Sequence, residues 1–304
     1  MLKRVHIAAD VEPALLELLR GDERFEVTYQ PVRDLSGLVT ECDILITRTF
    51  NTVTDAVLGR APKLRVLAQG TAGIDNIDLA AVEKRGIKVI SLPGINANAV
   101  AELVIGDMIA LTRTVPAYTR QVANGVWLRE DCTTRHELRH YRLGIVGLGQ
   151  VGRRVARLAA AFGMQPAAVD PYISDGDFKE RGARRVQSLD ELLATSDILT
   201  MHVPLTPETN RMIGETQLKR LPKSAIVINA SRGEVIDQRA VLAALAADHL
   251  GGVALDVFDP EPPRGIFPDD PRLILTPHIA GCSFECKNEA AEALYRRLCD
   301  WVDG

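Results

Sequence analysis

The sequence predicts an α/β protein built from two doubly wound parallel-sheet units. Three observations carry this. Short Val-, Ile- and Leu-rich runs alternate with helix-length segments along most of the chain, the pattern of parallel βαβ units. One such run, residues 143–146, feeds Gly147-Leu-Gly149-Gln-Val-Gly152 and then a helical pattern, the strand–turn–helix context of a dinucleotide site. Residues 1–97 show the same alternation without that motif, so a second dinucleotide site is not expected there. A chain of 304 residues is long enough for two cores.

In order, residues 5–8 read as a strand, and 11–19 as a helix burying Leu15, Leu16, Leu18 and Leu19. Strands follow at 25–29, 43–47, 64–68 and 87–90. Directly after the fourth comes Gln69-Gly-Thr-Ala-Gly-Ile-Asp-Asn-Ile-Asp78. Its small residues leave backbone N–H groups uncovered at the carboxyl end of the sheet, a nest suited to a carboxylate. The alternative is a helix start capped by Asp75 or Asn76, and the two are compatible. Residues 93–98 form a loop into a helix over 99–112 that is apolar on most faces (Val100, Leu103, Val104, Ile105, Met108, Ile109). Such a helix is buried or lies in an interface, and its position suits a connector between the units. Residues 113–141 read as charged and irregular around Trp127.

The glycine motif opens the second unit. Gly147 permits the tight turn, Gly149 the approach of backbone to a pyrophosphate, and Gly152 the close packing of helix on strand. The helix over 151–162 offers unpaired N–H groups, including those beside Gln150 and Val151, to phosphate. The next strand, 166–169, ends in Asp170, 18 residues past Gly152, where an acid meets the adenosine ribose hydroxyls. Pro171 and Tyr172 follow rather than Arg or Lys, so a 2′-phosphate meets repulsion and the cofactor reads as NAD. Strands at 198–202, 225–229, 252–257 and 273–275 bring the sheet to six, and 285–302 is a closing helix.

Composition excludes several classes. Hydrophobic and charged contents of 46% and 25% are those of a soluble globular protein. A net charge of −4 gives no basic footprint for nucleic acid or for a membrane surface. No apolar run approaches the roughly 18 residues of a membrane span. Asp10 and Glu12 interrupt the N-terminal apolar stretch too early for a signal peptide. The five cysteines (Cys42, Cys132, Cys282, Cys286, Cys299) are odd in number and scattered, which fits a reducing cytoplasm. Cys282 and Cys286 stand four apart without a matching Cys or His pair, so no metal is expected.

Three polar stretches fall at ends of the later strands: Asn229-Ala-Ser-Arg232, Asp256 with Glu261 in the loop beyond it, and Thr-Pro-His278. In a parallel sheet these ends share one edge with the glycine turn, so an Arg, a carboxylate and a His gather beside a bound nicotinamide. Hydride transfer to a 2-keto acid needs that set. Arg232 grips the substrate carboxylate or the carbonyl oxygen with its planar fork. His278 protonates the carbonyl oxygen, or takes the hydroxyl proton in reverse. Glu261 accepts from the other ring nitrogen and raises the His pKa. Asp256 is placed to accept from the nicotinamide carboxamide, and His202 to line the cofactor.

These motifs, in this order, resemble the D-isomer-specific 2-hydroxyacid dehydrogenase family over nearly the whole chain. The resemblance implies an NAD-binding Rossmann domain, 99–279, inserted into a flavodoxin-like substrate domain, 1–98 plus 280–304. It implies Arg232, Glu261 and His278 as the catalytic set, and Ala72 and Gly73 backbone with Arg232 and His278 as the substrate site. Val203, Ala230 and Asp256 then line the cofactor, and the protein is a homodimer joined through the NAD domain. The substrate is expected to be a 3-phosphoglycerate or a hydroxypyruvate or glyoxylate type acid. Phosphoglycerate dehydrogenases usually carry Arg where this loop has Gln69. Two rivals are a dehydrogenase-like NAD(H) sensor that binds protein partners, and a non-hydride Rossmann enzyme such as a methyltransferase. The first would show a lost catalytic group or long tails, and the second fits the ordered Arg, Glu and His poorly.

Overall fold

The computed structural model describes residues 2–129, 135–265 and 267–304; Cys132 lies outside the described residues. The chain divides into two compact units, one running to Asn96 and resuming over Cys282–Gly304, the other Ala97–Gly281.

The first unit holds five strands, β1 (Lys3–Ile7), β2 (Phe25–Tyr29), β3 (Ile44–Thr47), β4 (Val66–Gln69) and β5 (Lys88–Ile90). All pair in parallel, in the order β2-β1-β3-β4-β5, the flavodoxin-like winding. Side chains alternate across a strand, so one strand feeds two cores. Ile44 and Ile46 pack with Leu15, Leu19, Leu294 and Leu298 on one face. Leu45 packs with Leu58, Leu67 and Val82 on the other. The helix Pro13–Arg20 begins with Pro in its first turn and buries only Leu15 and Leu19. Leu16 and Leu18 are half-buried, because residues four apart share a face and their neighbours do not. The final helix, Phe284–Asp303, starts on Ser283, whose hydroxyl accepts from the Cys286 N–H at 3.0 Å, and it completes this unit.

The second unit holds β6 (Leu143–Val146), β7 (Ala167–Val169), β8 (Arg184–Arg185), β9 (Ile198–Met201), β10 (Ala225–Asn229), β11 (Leu250–Leu255) and β12 (Leu273–Leu275). They too are all parallel, in the order β12-β11-β10-β9-β6-β7-β8. This is dinucleotide-domain winding with β12 added at one edge, and the order reverses between β6 and β9, where such sheets bind ligands. The expected six strands become seven. The extra one, β8, is an edge pair of arginines with no apolar pattern to announce it. A second correction concerns residues 113–141, which contain the helix Val115–Ala123. Its Pro lies in the first turn and none of its residues is buried, so it carries no apolar stripe.

The helix Ala97–Thr112 packs on the helix Gly152–Ala161 and on β10 and β11. Its core-facing residues include Val104, Met108 and, unexpectedly, Asp107. Cys42 and Cys286 are buried, Cys282 is exposed and Cys299 is partly exposed. Among the described residues, no helix is long and apolar enough to cross a membrane.

Candidate active site

The glycine turn lies at the sheet's reversal point. Gly147 has φ +84°, and a Cβ there would sit 2.6 Å from the His202 carbonyl oxygen and 2.7 Å from Val203. The turn after β6 is therefore pressed against the segment after β9. A Cβ on Gly152 would approach the Gly147 oxygen to 2.1 Å, which sets how closely the helix start meets the turn. A Cβ on Gly149 would meet nothing within 4 Å. The space over Gly149 thus suits a group that approaches the backbone, and the first turn of the ten-residue helix Gly152–Ala161 has no side-chain cap. These features fit a dinucleotide pyrophosphate. Gln150 and Val151 lie between turn and helix.

Asp170, just beyond β7, accepts from the Leu148 N–H at 2.9 Å and from the Tyr172 N–H at 3.0 Å. Its carboxylate is thereby held at the end of the glycine turn. His202 Nε2 lies 3.1 Å from the Thr200 hydroxyl. Burial pushes its pKa down to about 3, so the ring is neutral and lines the turn without carrying charge. Ala230 is half-buried beyond β10.

Arg232 owes its place to Asn229, a fully buried amide whose role no sequence pattern marks. The Asn229 oxygen accepts from Ser231 N–H (3.0 Å) and Ser231 hydroxyl (2.8 Å), while its NH2 donates to the Arg232 carbonyl (2.8 Å). The knot fixes the turn Ala230–Arg232. Arg232 Nη1 also donates to the Ser231 carbonyl at 2.8 Å. A Cβ on Gly233 would lie 2.1 Å from the Phe258 carbonyl. The Arg232 turn therefore rests on the backbone that leads to Glu261, with cis peptides before Pro260 and Pro262. One Glu261 oxygen accepts from the Phe258 N–H at 3.0 Å, and the other accepts from His278 Nδ1 at 2.7 Å.

Asp256 builds the His278 turn. This 2% exposed carboxylate accepts from the Thr276 hydroxyl (2.6 Å), the Ile279 N–H (2.8 Å) and the Ala280 N–H (2.9 Å). The His278 N–H donates to the Asp256 carbonyl at 2.8 Å. Those bonds hold His278 at φ +55°, a conformation that a side chain other than Gly rarely adopts. A carboxylate accepts about four bonds, and three of those are filled here by the His278 turn.

Electrostatically the three groups act on one another. The Glu261 hydrogen bond is the main cause that raises the His278 pKa, opposed by burial and by Arg232, and aided by the charges of Glu261 and Asp256. Burial pushes Glu261 up, but its bonds to His278 and Phe258 and the charges of His278 and Arg232 outweigh this and lower it. The structure thus places Arg232, Glu261 and His278 within mutual reach in this unit. The Glu261 hydrogen bond favours the imidazolium form, which carries a transferable proton.

Asp107 is the residue most at odds with the expected apolar helix. It is 8% exposed, and its pKa is pushed up to about 7, first by burial and then by the charge of Asp256. A folded-state pKa above the ordinary value of 3.8 means that the folded chain holds this proton while the unfolded chain releases it. Stability is therefore lost as pH rises from about 4 to 7. Against the wild type, Asp107→Asn should gain about 2 to 4 kcal/mol between pH 4 and pH 8. Urea unfolding at several pH values reads this, and a difference that stays constant with pH would contradict it.

In the first unit, Gln69 is fully buried and paired with Asn76. The Gln69 NH2 donates to Asn76 Oδ1 (3.0 Å) and to the Gly73 carbonyl, while Asn76 NH2 donates to Gln69 Oε1 (3.1 Å). Neither Asp75 nor Asn76 caps the helix Leu79–Lys84. Asp78 does, accepting from the Ala81 N–H at 3.0 Å. The amide pair draws the Gly73 carbonyl inward. The N–H groups of Ala72 and Gly73 donate to no backbone carbonyl among the described residues.

Comparison with known proteins follows the same lines. Residues 105–280 match the family described as D-isomer specific 2-hydroxyacid dehydrogenase, NAD binding domain. A D-3-phosphoglycerate dehydrogenase of Methanocaldococcus jannaschii is 38% identical over 87% of this chain and 51% of its own length. This chain thus spans about half the length of that relative. A glyoxylate reductase of Korarchaeum cryptofilum is 39% identical over 86% of this chain and 80% of its own. Among solved structures, a D-lactate dehydrogenase from Aquifex aeolicus complexed with NAD and lactic acid superposes with a TM-score of 0.87. It is 26% identical and covers 99% of this chain and 96% of its own.

Proposed function

The chain belongs to the D-isomer specific 2-hydroxyacid dehydrogenase family, and from that premise we propose that it interconverts a small D-2-hydroxy acid and its 2-keto acid with NAD. The observation that carries this is the His278–Glu261 hydrogen bond of 2.7 Å in electrostatic reach of Arg232. All three follow strands of the sheet that bears the glycine turn.

In this reading Gly147, Gly149, Gln150, Val151 and Gly152 receive the pyrophosphate, and Asp170 the adenosine ribose. His202, Val203 and Ala230 line the cofactor, and Asp256 accepts from its carboxamide. The nicotinamide supplies hydride-transfer chemistry when bound. His278 delivers a proton from Nε2 to the keto oxygen, and Glu261 holds the ring in orientation through Nδ1. Arg232 binds the substrate carboxylate and polarises the carbonyl beside it. In the first unit, the Ala72 and Gly73 N–H groups are offered to a carboxylate.

Gln69 favours an unphosphorylated substrate of the glyoxylate or hydroxypyruvate type. It is neutral, and its amide is committed to Asn76 and Gly73. Arg48, a cation of the same unit, is held by Glu12 at 2.5 Å, so neither offers an uncommitted charge to phosphate. The relevant assay is loss of NADH absorbance with glyoxylate, hydroxypyruvate, phosphohydroxypyruvate, pyruvate and branched 2-keto acids, with NADPH in parallel. Turnover on one of the first two with NADH is expected. Exclusive use of the phosphorylated acid would overturn the substrate assignment, and NADH binding with no turnover on any acid would favour a sensor.

A homodimer through the second unit belongs to the same proposal. Val115, Val122, Val126, Trp127 and Leu128, close in sequence, are 42–75% exposed, and exposed apolar side chains of this size are what protein interfaces cover. Sedimentation should give twice the chain mass; a monomer at micromolar concentration would contradict this.

A further inference from the structure

The glycine turn is tied down from two sides by opposite charges. The Leu148 N–H donates to Asp170 Oδ2 at 2.9 Å, and the Leu148 carbonyl accepts from Arg181 Nη1 at 2.9 Å. Arg181 closes the helix Asp175–Glu180, where its own N–H donates to the Asp177 carbonyl at 2.9 Å. Its side chain then reaches back 33 residues to the turn. The backbone N and O of one residue lie within about 3.6 Å of each other, so the Arg181 nitrogen and the Asp170 oxygen are no more than about 10 Å apart. That is comparable to the screening length of roughly 8 Å at physiological ionic strength, so each charge is felt by a ligand between them.

A guanidinium carries five N–H donors. Among the described residues, one of those of Arg181 is engaged on a side-chain or backbone acceptor, the Leu148 carbonyl. Asp177 is the carboxylate within charge range of Arg181 from its own helix. Neighbouring Arg185 is ion-paired to Asp175. Arg181 is therefore the cation on this helix whose guanidinium is directed at the turn itself.

We propose that Arg181 sets the chain's discrimination between NADH and NADPH, standing at the glycine turn as the cation that receives a 2′-phosphate once the Asp170 charge is removed. The proposal rests on the reading that NAD binds this turn. In the native chain Asp170 repels a 2′-phosphate and accepts from the ribose hydroxyls, while Arg181 offsets part of that repulsion. Discrimination against NADPH is accordingly finite. Losing the acid alone removes the preference for NADH without any new basic residue.

Binding, read by the fluorescence of the reduced cofactors with the full chain, tests this without turnover. Wild type should prefer NADH by about tenfold or more, the worth of one charge-assisted contact. Asp170→Ala should bring NADPH to parity or better. Adding Arg181→Leu should then weaken NADPH by about tenfold while NADH changes less. Arg181→Lys in the same background should keep most of the NADPH affinity, and raised salt should erode NADPH binding more than NADH binding. If the double variant with Leu binds NADPH as tightly as Asp170→Ala does, the proposal is overturned. Equal weakening of both cofactors would likewise overturn it, because a merely structural clamp acts on both. Should wild type bind neither cofactor, the cofactor reading itself falls, an outcome distinct from the other two.

Discussion

His278→Ala should leave NADH binding at the wild-type level and lower turnover by about 10²- to 10⁴-fold, the usual span for a positioned general acid. In barrier terms this is roughly 2.7 to 5.4 kcal/mol. The expectation follows from where His278 stands. Its ring is fixed by Glu261 and its backbone by Asp256, whereas the glycine turn and Asp170 are held by contacts of their own. Removing the imidazole therefore takes away the proton donor and leaves the cofactor's supports. Glu261→Gln gives the companion result. The hydrogen bond from His278 to Glu261 is the main cause of the raised His278 pKa, and keto-acid reduction needs imidazolium. The rate falls as pH rises through that pKa, and in Glu261→Gln the fall should come at lower pH. Full turnover in His278→Ala, or an unmoved pH limb in Glu261→Gln, would sink the assignment.

Arg232→Ala should lower kcat/KM by about 10²- to 10³-fold, because two charge-assisted hydrogen bonds to a carboxylate are worth roughly 3 to 4 kcal/mol together. Arg232→Lys should recover only part of this, since a point charge cannot reproduce the planar fork. The pH profile separates this role from that of Glu261. Arg232 lowers the His278 pKa, so its removal shifts the limb to higher pH, opposite in sign to Glu261→Gln. A loss of NADH affinity matching the loss of kcat/KM would show instead that Arg232 supports the cofactor.

The central strands and the glycine turn were readable because burial on both faces leaves continuous apolar runs, as in β6 and β10, while the edge strand β2 shows in its alternation; these and β12 fall at the expected residues. Arg232, Glu261 and His278 were readable because a parallel sheet sends successive strand ends to one edge. The devices that aim those side chains were not readable. Asn229 carries no pattern that distinguishes a knot from a strand end, and only the fold shows its amide holding Ser231 and Arg232. Asp256 was expected to serve the cofactor; its three bonds to the His278 turn depend on β11 lying beside β12. In the sequence Gln69 shows only as a missing charge, while its part in holding Asn76 and Gly73 is a matter of side-chain geometry. Asp107 was hidden in an apolar helix, and Arg181 acts across a sequence distance that no local pattern spans.

The most direct measurement uses NADH deuterated at the transferable position of C4, one stereoisomer at a time, with the keto acid that turns over. Mass analysis of the product 2-hydroxy acid should find one deuterium at C2 from one of the two labelled cofactors and none from the other. That result would place hydride transfer at the keto carbon beside His278. Cofactor consumed with no label at C2 from either stereoisomer would contradict the proposed reaction.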